Sequence, residues 1–230
     1  MTPFQQRQLV LMRQMEASLA SGSRASTIVP FQQDYISDTQ LALSVNTMLP
    51  LEIAKTIQTK LIQPLKTINP TYYYYPNDAL HITLHSIRII HDPPSYTPRD
   101  IDTSKQLLRR LIPLQRPFPF VLYGVMSLPT SAAVIALITP EYDRFIRSLR
   151  QTFIAAGIPD DKTYFTDEMV FANSTICRYT HPPSTEFLEQ LKTLNDVSIG
   201  QFVATDVKLM EMNAVAHPSK TQVLGTYKFL

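Results

Sequence analysis

His81, Thr83 and His85 alternate along Ala79–Ile90, a segment rich in β-branched residues and free of glycine and proline. In an extended strand residues i, i+2 and i+4 point to one face. The spacing therefore predicts an imidazole, a hydroxyl and a second imidazole side by side, with Ile82 and Leu84 turned into packing. Asn173, Thr175, Cys177 and Tyr179 repeat that spacing in a second strand-like segment, Met169–Thr180. Imidazole, with an ordinary pKa of about 6.5, is suited to trading protons near neutrality. A threonine hydroxyl can hold the oxygen of an anion, and so can an asparagine amide, which exchanges no proton near pH 7. His81 and His85 stand roughly 13 Å apart along a strand, too far to share a metal ion. With Cys177 as the single cysteine, no intramolecular disulfide and no cysteine-rich metal site can form. No cofactor or metal is expected.

The elements that must position these residues follow from periodicity. Phe4, Leu11, Met12, Met15 and Leu19 predict an amphipathic helix over 3–20, and Ser21–Thr39 reads as a mobile linker or strap. Leu41–Val45 is a short strand, and Pro50 opens a helix that Pro64 should end. After the His81 strand, Thr97 and Pro98 start a helix that buries Leu107, Leu108, Leu111 and Ile112, and Phe118–Leu128 is a further strand. The order then recurs: strand Ala132–Ile138, a helix from Thr139-Pro140 to about Gly157, strand Met169–Thr180, a short helix after Pro182-Pro183, and strands Phe202–Met212 and Gln222–Leu230.

Leu41 and Ala133 lie 92 residues apart, as do His81-Ile-Thr83 and Asn173-Ser-Thr175, and Phe120-Val121 is echoed by Phe202-Val203. We expect residues 1–38 to form a helix and strap, and 39–230 a single bilobal domain with an internal repeat, roughly 40–128 and 131–230. The fold class is α+β: two antiparallel sheets with outer helices around a central cleft, where His81 and Thr83 of one lobe meet Asn173 and Thr175 of the other.

Composition narrows the function. The 230 residues are 44% hydrophobic and 17% charged, enough for a sizeable core and too weakly charged for disorder. Lys and Arg (21) exceed Asp and Glu (19) by two, so duplex DNA is not an expected partner. The five glycines form no phosphate loop of the nucleotide-binding kinds. No apolar run approaches the roughly 20 residues of a membrane span, and no secretory leader is visible. A cytoplasmic location is expected.

His81-Ile-Thr83-Leu, preceded by Tyr-Tyr-Tyr-Tyr-Pro-Asn-Asp-Ala-Leu, with its half-match Asn173-Ser-Thr175-Ile, resembles the two-histidine (2H) phosphoesterases, also called the 2′-5′ RNA ligase-like or cyclic phosphodiesterase family. The closing stretch from Val207-Lys-Leu through Val223-Leu-Gly-Thr-Tyr-Lys-Phe-Leu resembles that family's last two strands, and the likeness covers residues 39–230. It implies a duplicated fold and metal-free chemistry on a 2′,3′-cyclic phosphate or another nucleotide or RNA-end phosphodiester. It implies His81 as an acid–base group and Thr83 and Thr175 on the non-bridging oxygens. The sequence departs from the pattern at Asn173, where the second histidine should stand.

Three readings follow: an enzyme of altered or diminished activity, a nucleotide- or phosphate-binding module without turnover, and an introduced asparagine that traps substrate. A protein-interaction domain of the same fold is a further alternative, and His81 could instead be a buried histidine bonded to a backbone carbonyl. Tyr73, Tyr75, His85 and Tyr179 are candidates for substrate contact. Cys177 reads as a buried filler, and Arg178, opposite Asn173 in strand alternation, as a surface or ion-pair residue. Oligomeric state is left open.

Overall fold

The computed structural model describes residues 1–23 and 27–230; positions 24–26, part of the expected strap, lie outside the described residues. Along the chain run α1 (Pro3–Ala20), β1 (Leu41–Met48), α2 (Leu51–Ile57), α3 (Gln63–Ile68), β2 (Tyr73–Tyr74), β3 (His81–His91), α4 (Pro98–Leu111), β4 (Phe118–Leu128), β5 (Ser131–Leu137), α5 (Pro140–Ala155), β6 (Ala172–Arg178), α6 (Thr185–Thr193), β7 (Ser198–Ala204), β8 (Asp206–Met212) and β9 (Gln222–Lys228).

Local chemistry sets most helix starts. Thr2 and Thr97 accept from the backbone N–H three residues on, and the Gln5 and Asp100 side chains accept in return from the cap N–H. Thr139 and Ser184 cap α5 and α6 in the same way, without the return bond. Pro64, expected to end its helix, does not. A π turn over Gln58–Ile62 joins α2 to α3, and Pro64 sits in the first turn of α3, which runs on to Ile68. Proline cannot donate to the carbonyl four residues back and its ring crowds that carbonyl. A turn widened by one residue accommodates both defects and lets the helix continue.

Two sheets form, with every strand pair antiparallel: β3-β1-β8-β9, and β2-β6-β5-β4-β7. β4 follows β3 in the chain yet pairs with β5 and β7 in the second sheet, and β8 crosses the other way to pair with β1 and β9. The segment Phe202–Met212, expected as one strand, is therefore two, broken at Thr205 where the chain changes sheet. Phe120 and Phe202, noted above as an echo, are directly paired across β4 and β7 with rings stacked at 5.3 Å. Pro119 is tolerated in β4 because pairing with β5 begins only at Val121.

β5 is buried along its whole length because both faces are covered. Ala132, Val134 and Ala136 enter the main core; Ala133, Ile135 and Leu137 meet Met12, Met15 and Leu19 of α1. Polar grips hold α1 in place. Arg13 donates to the carbonyls of Val125 (2.7 Å) and Asn195 (2.8 Å), Glu16 accepts from the Ser127 N–H, and Gln8 from the Ile138 N–H. α5 lies against β3 and α6 against β4, and the two sheets come together at β3 and β6.

Candidate active site

Both strands at this junction carry a one-residue irregularity just after their polar pair, and β3 carries further ones beyond Ser86. In β3, Thr83 pairs with Asn46 and His85 with Val45, leaving Leu84 without a partner. In β6, Thr175 pairs with Ala133 and Cys177 with Ala132, leaving Ile176 over. An extra residue of this kind reverses the alternation of faces downstream. His81 and Thr83 keep the face expected for them, as do Asn173 and Thr175, and the residues next beyond, His85 and Cys177 among them, exchange sides.

His85 is thus turned away from His81. It is 3% exposed and meets the Phe153 ring of α5 edge-on at 4.9 Å. Cys177 enters the core, where burial pushes its thiol up to about 12. Tyr179 is buried beside Tyr72 and Phe187, with its hydroxyl 3.3 Å from Ser127 Oγ. The expectation that these three share the face of the chemistry fails on the two bulges. Arg178, read as pointing the other way, faces the cleft for the same reason.

The cleft is a cavity of about 280 Å³ lined by His81, Thr83, Asn173 and Thr175, together with Tyr75, Arg178 and Lys162. Thr27, Ile28 and Val29, just beyond α1, form part of its rim. His81 Nδ1 lies 2.7 Å from the Ala79 carbonyl oxygen. That oxygen can only accept, so Nδ1 carries the proton and the neutral ring keeps Nε2 as a base. Burial holds the His81 pKa below the usual histidine range and the Arg178 charge adds to this, against the Ala79 bond. The bland reading of a histidine tied to a carbonyl is thus half right: one nitrogen is tied, and the ring still lines the cleft.

Thr83 Oγ1 donates to Asn46 Oδ1 at 2.9 Å, and Asn46 Nδ2 donates to Ser44 Oγ at 2.8 Å, a short polar chain beneath the cleft floor. Arg178 Nε is buried and has no partner among the described residues. Arg88 also reaches the cleft but is engaged, with Asp100 at 3.6 Å and the Pro159 carbonyl at 2.6 Å. Tyr75 is buried with its hydroxyl donating to Ala214 O (2.7 Å), while Tyr73 packs edge-on to Tyr35 and Tyr75 away from the cavity wall.

Sequence reasoning missed Arg178 and Lys162. Nothing in the sequence marks the β6 bulge that turns Arg178 into the cleft. Lys162 comes from the irregular segment between α5 and β6, where no periodicity points to a face. Among the described residues no group of three His, Cys, Asp or Glu side chains is placed to hold a metal, and no helix is long and apolar enough to cross a membrane.

No protein-family model and no curated protein matches the chain. Solved structures do. Escherichia coli LigT complexed with 3′-AMP aligns at 15% identity and a TM-score of 0.58, covering 83% of this chain and 98% of LigT. The protein TT0787 of Thermus thermophilus aligns at 18% identity and 0.56, covering 83% and 97%. A crystal structure described as a phosphoesterase aligns at 14% and 0.56, covering 83% and 98%. At these identities the likeness is one of fold: the two antiparallel sheets with helices around them are shared.

Proposed function

We propose that the cleft binds and turns over a nucleotide phosphodiester, a 2′,3′-cyclic phosphate or a similar RNA-end ester, without a metal. The observation that carries this reading is the convergence of His81, Thr83, Asn173 and Thr175 on one cavity that also holds Arg178 with an unsatisfied Nε. A buried donor left without a partner costs about 1–3 kcal/mol, which an anion in the cavity would offset. The fold shared with a LigT that holds 3′-AMP supports the same ligand class.

In this reading His81 Nε2 takes a proton from a water whose oxygen bonds to phosphorus. The bond from phosphorus to the ribose oxygen breaks, and that oxygen is protonated. Thr83 and Thr175 hold the non-bridging oxygens while Arg178 offsets their charge. For Thr83 to donate, the Asn46 amide turns over, so that its NH₂ faces the threonine and frees the hydroxyl proton. Asn173 can hold the ester but cannot supply the second proton. Lys162 lines the cleft with it, and its ammonium pKa is lowered by burial and by the charge of Arg150, with Asp160 opposing. A lysine tuned down in this way can act as general acid.

The test is turnover of a nucleoside 2′,3′-cyclic phosphate by the unaltered chain, by Asn173→His and by His81→Ala. We expect His81→Ala to be silent and Asn173→His to gain on the order of 10²–10⁴ in rate. Activity that survives His81→Ala would exclude this mechanism. The binding-module alternative rests on Asn173 itself, and silence of all three proteins with retained nucleotide binding would establish it.

A further inference from the structure

Beside the cleft lies a second cavity of about 170 Å³, and Thr83, Lys162 and Asn173 line both. Residues that do not reach the cleft also line its wall, among them Met15 and Leu19 of α1, His85 behind the β3 bulge, Arg150 of α5 and Tyr164. Two nitrogens on this wall, His85 Nδ1 and Arg150 Nε, are buried with no partner among the described residues. His85 is 3% exposed, so water does not relieve it. Native folds rarely leave such groups unsatisfied, and two on one cavity mark a place built for something to accept from them.

The charges agree. Arg150 is held with its guanidinium 3.9 Å from the centre of the Tyr164 ring. Lys162 lines both cavities and feels the like charges of Arg150, which lines the second, and Arg178, which lines the cleft; the carboxylate that opposes them is Asp160. Asp160 already accepts from the Tyr164 hydroxyl (3.0 Å) and the Lys162 backbone N–H (3.2 Å). Lys162 thus meets two like charges against the one carboxylate that acts on it, which is already occupied, and cations so placed repel one another until anions come between them.

We infer that the second cavity is the subsite for a second phosphate of the same ligand: one phosphate sits at His81 and Arg178, the other between Arg150 and His85, with Lys162 between the two. The inference rests on the reading of the cleft given above. Burial drives the His85 pKa down to about 4, so the ring is neutral at pH 7 and offers an N–H rather than a charge. The second phosphate is either the 5′-phosphate of the same nucleoside or the next phosphate along an RNA chain.

Calorimetric titration of the full chain separates these cases with three probes: a nucleoside 3′-monophosphate, the matching 3′,5′-bisphosphate, and a dinucleotide ending in a 3′-phosphate. One of the two doubly charged ligands should bind about tenfold more tightly than the monophosphate, from one added charge-assisted pair. Which of them does so identifies the source of the second phosphate. The preference should largely vanish in Arg150→Gln and return in part in Arg150→Lys. Equal affinity for all three probes overturns the subsite while leaving the cleft reading intact, and so does a preference that Arg150→Gln does not reduce. Silence toward all three overturns both. Should Arg150→Gln fail to fold, the comparison of ligands on the unaltered chain still decides.

Discussion

At the scale of single residues, His85 carries a cost that grows with acidity. In the unfolded chain it titrates near the ordinary 6.5; in the fold, burial drives that to about 4. Between these values the unfolded state binds the extra proton, so stability is fully present above pH 6.5 and falls as the pH drops toward 4. The shift corresponds to about 3 kcal/mol. His81 acts in the same direction. Urea unfolding followed from pH 7 to pH 4 should therefore fall less steeply in His85→Gln than in the unaltered chain; parallel curves would refute the assignment. The residue types at the cleft were legible because His81, Thr83, Asn173 and Thr175 all precede the bulges. His85, Cys177 and Arg178 were not, because they follow an unpaired residue, Leu84 in β3 or Ile176 in β6, that exchanges the faces next to it.

At the scale of elements, α1 is a wall of the molecule rather than an appendage. Met12 is fully buried against Ala133 and Ile135 of β5 and Met126 of β4, and Met15 and Leu19 of the same stripe bound the second cavity. We expect Met12→Ala to cost about 2–5 kcal/mol, since a helix pinned by Arg13, Glu16 and Gln8 cannot settle into the space left behind. Denaturant midpoints check this, and a loss under about 0.5 kcal/mol would mean that the helix is loosely held. The helix itself could be read from its 3.6-residue stripe, and so could the Thr97, Thr139 and Pro140 starts, because caps act within one turn. The passage through Pro64 could not, since a widened turn depends on what packs around it.

For the whole molecule the exchange of β4 and β8 between sheets is decisive. The first sheet joins β1 and β3 to β8 and β9 from the far end of the chain, and the second joins β2 and β4 to β5, β6 and β7, so each draws strands from both halves. We expect one unfolding transition, with coincident midpoints by far-UV circular dichroism and by the fluorescence of the 11 tyrosines, as the chain has no tryptophan. Two separated transitions would show that the sheets fold independently. The two bulges, set 92 residues apart like His81 and Asn173, support our proposal that the two halves arose by duplication. What the sequence by itself determined is what acts over a few residues: residue chemistry, strand and helix periods, caps, and the pairing of two polar motifs in an α+β chain. Which strand joins which sheet, which face follows a bulge, and which loop cation reaches the cleft were decided only by tertiary structure. These depend on contacts between residues far apart in the chain, whose energies no local pattern encodes.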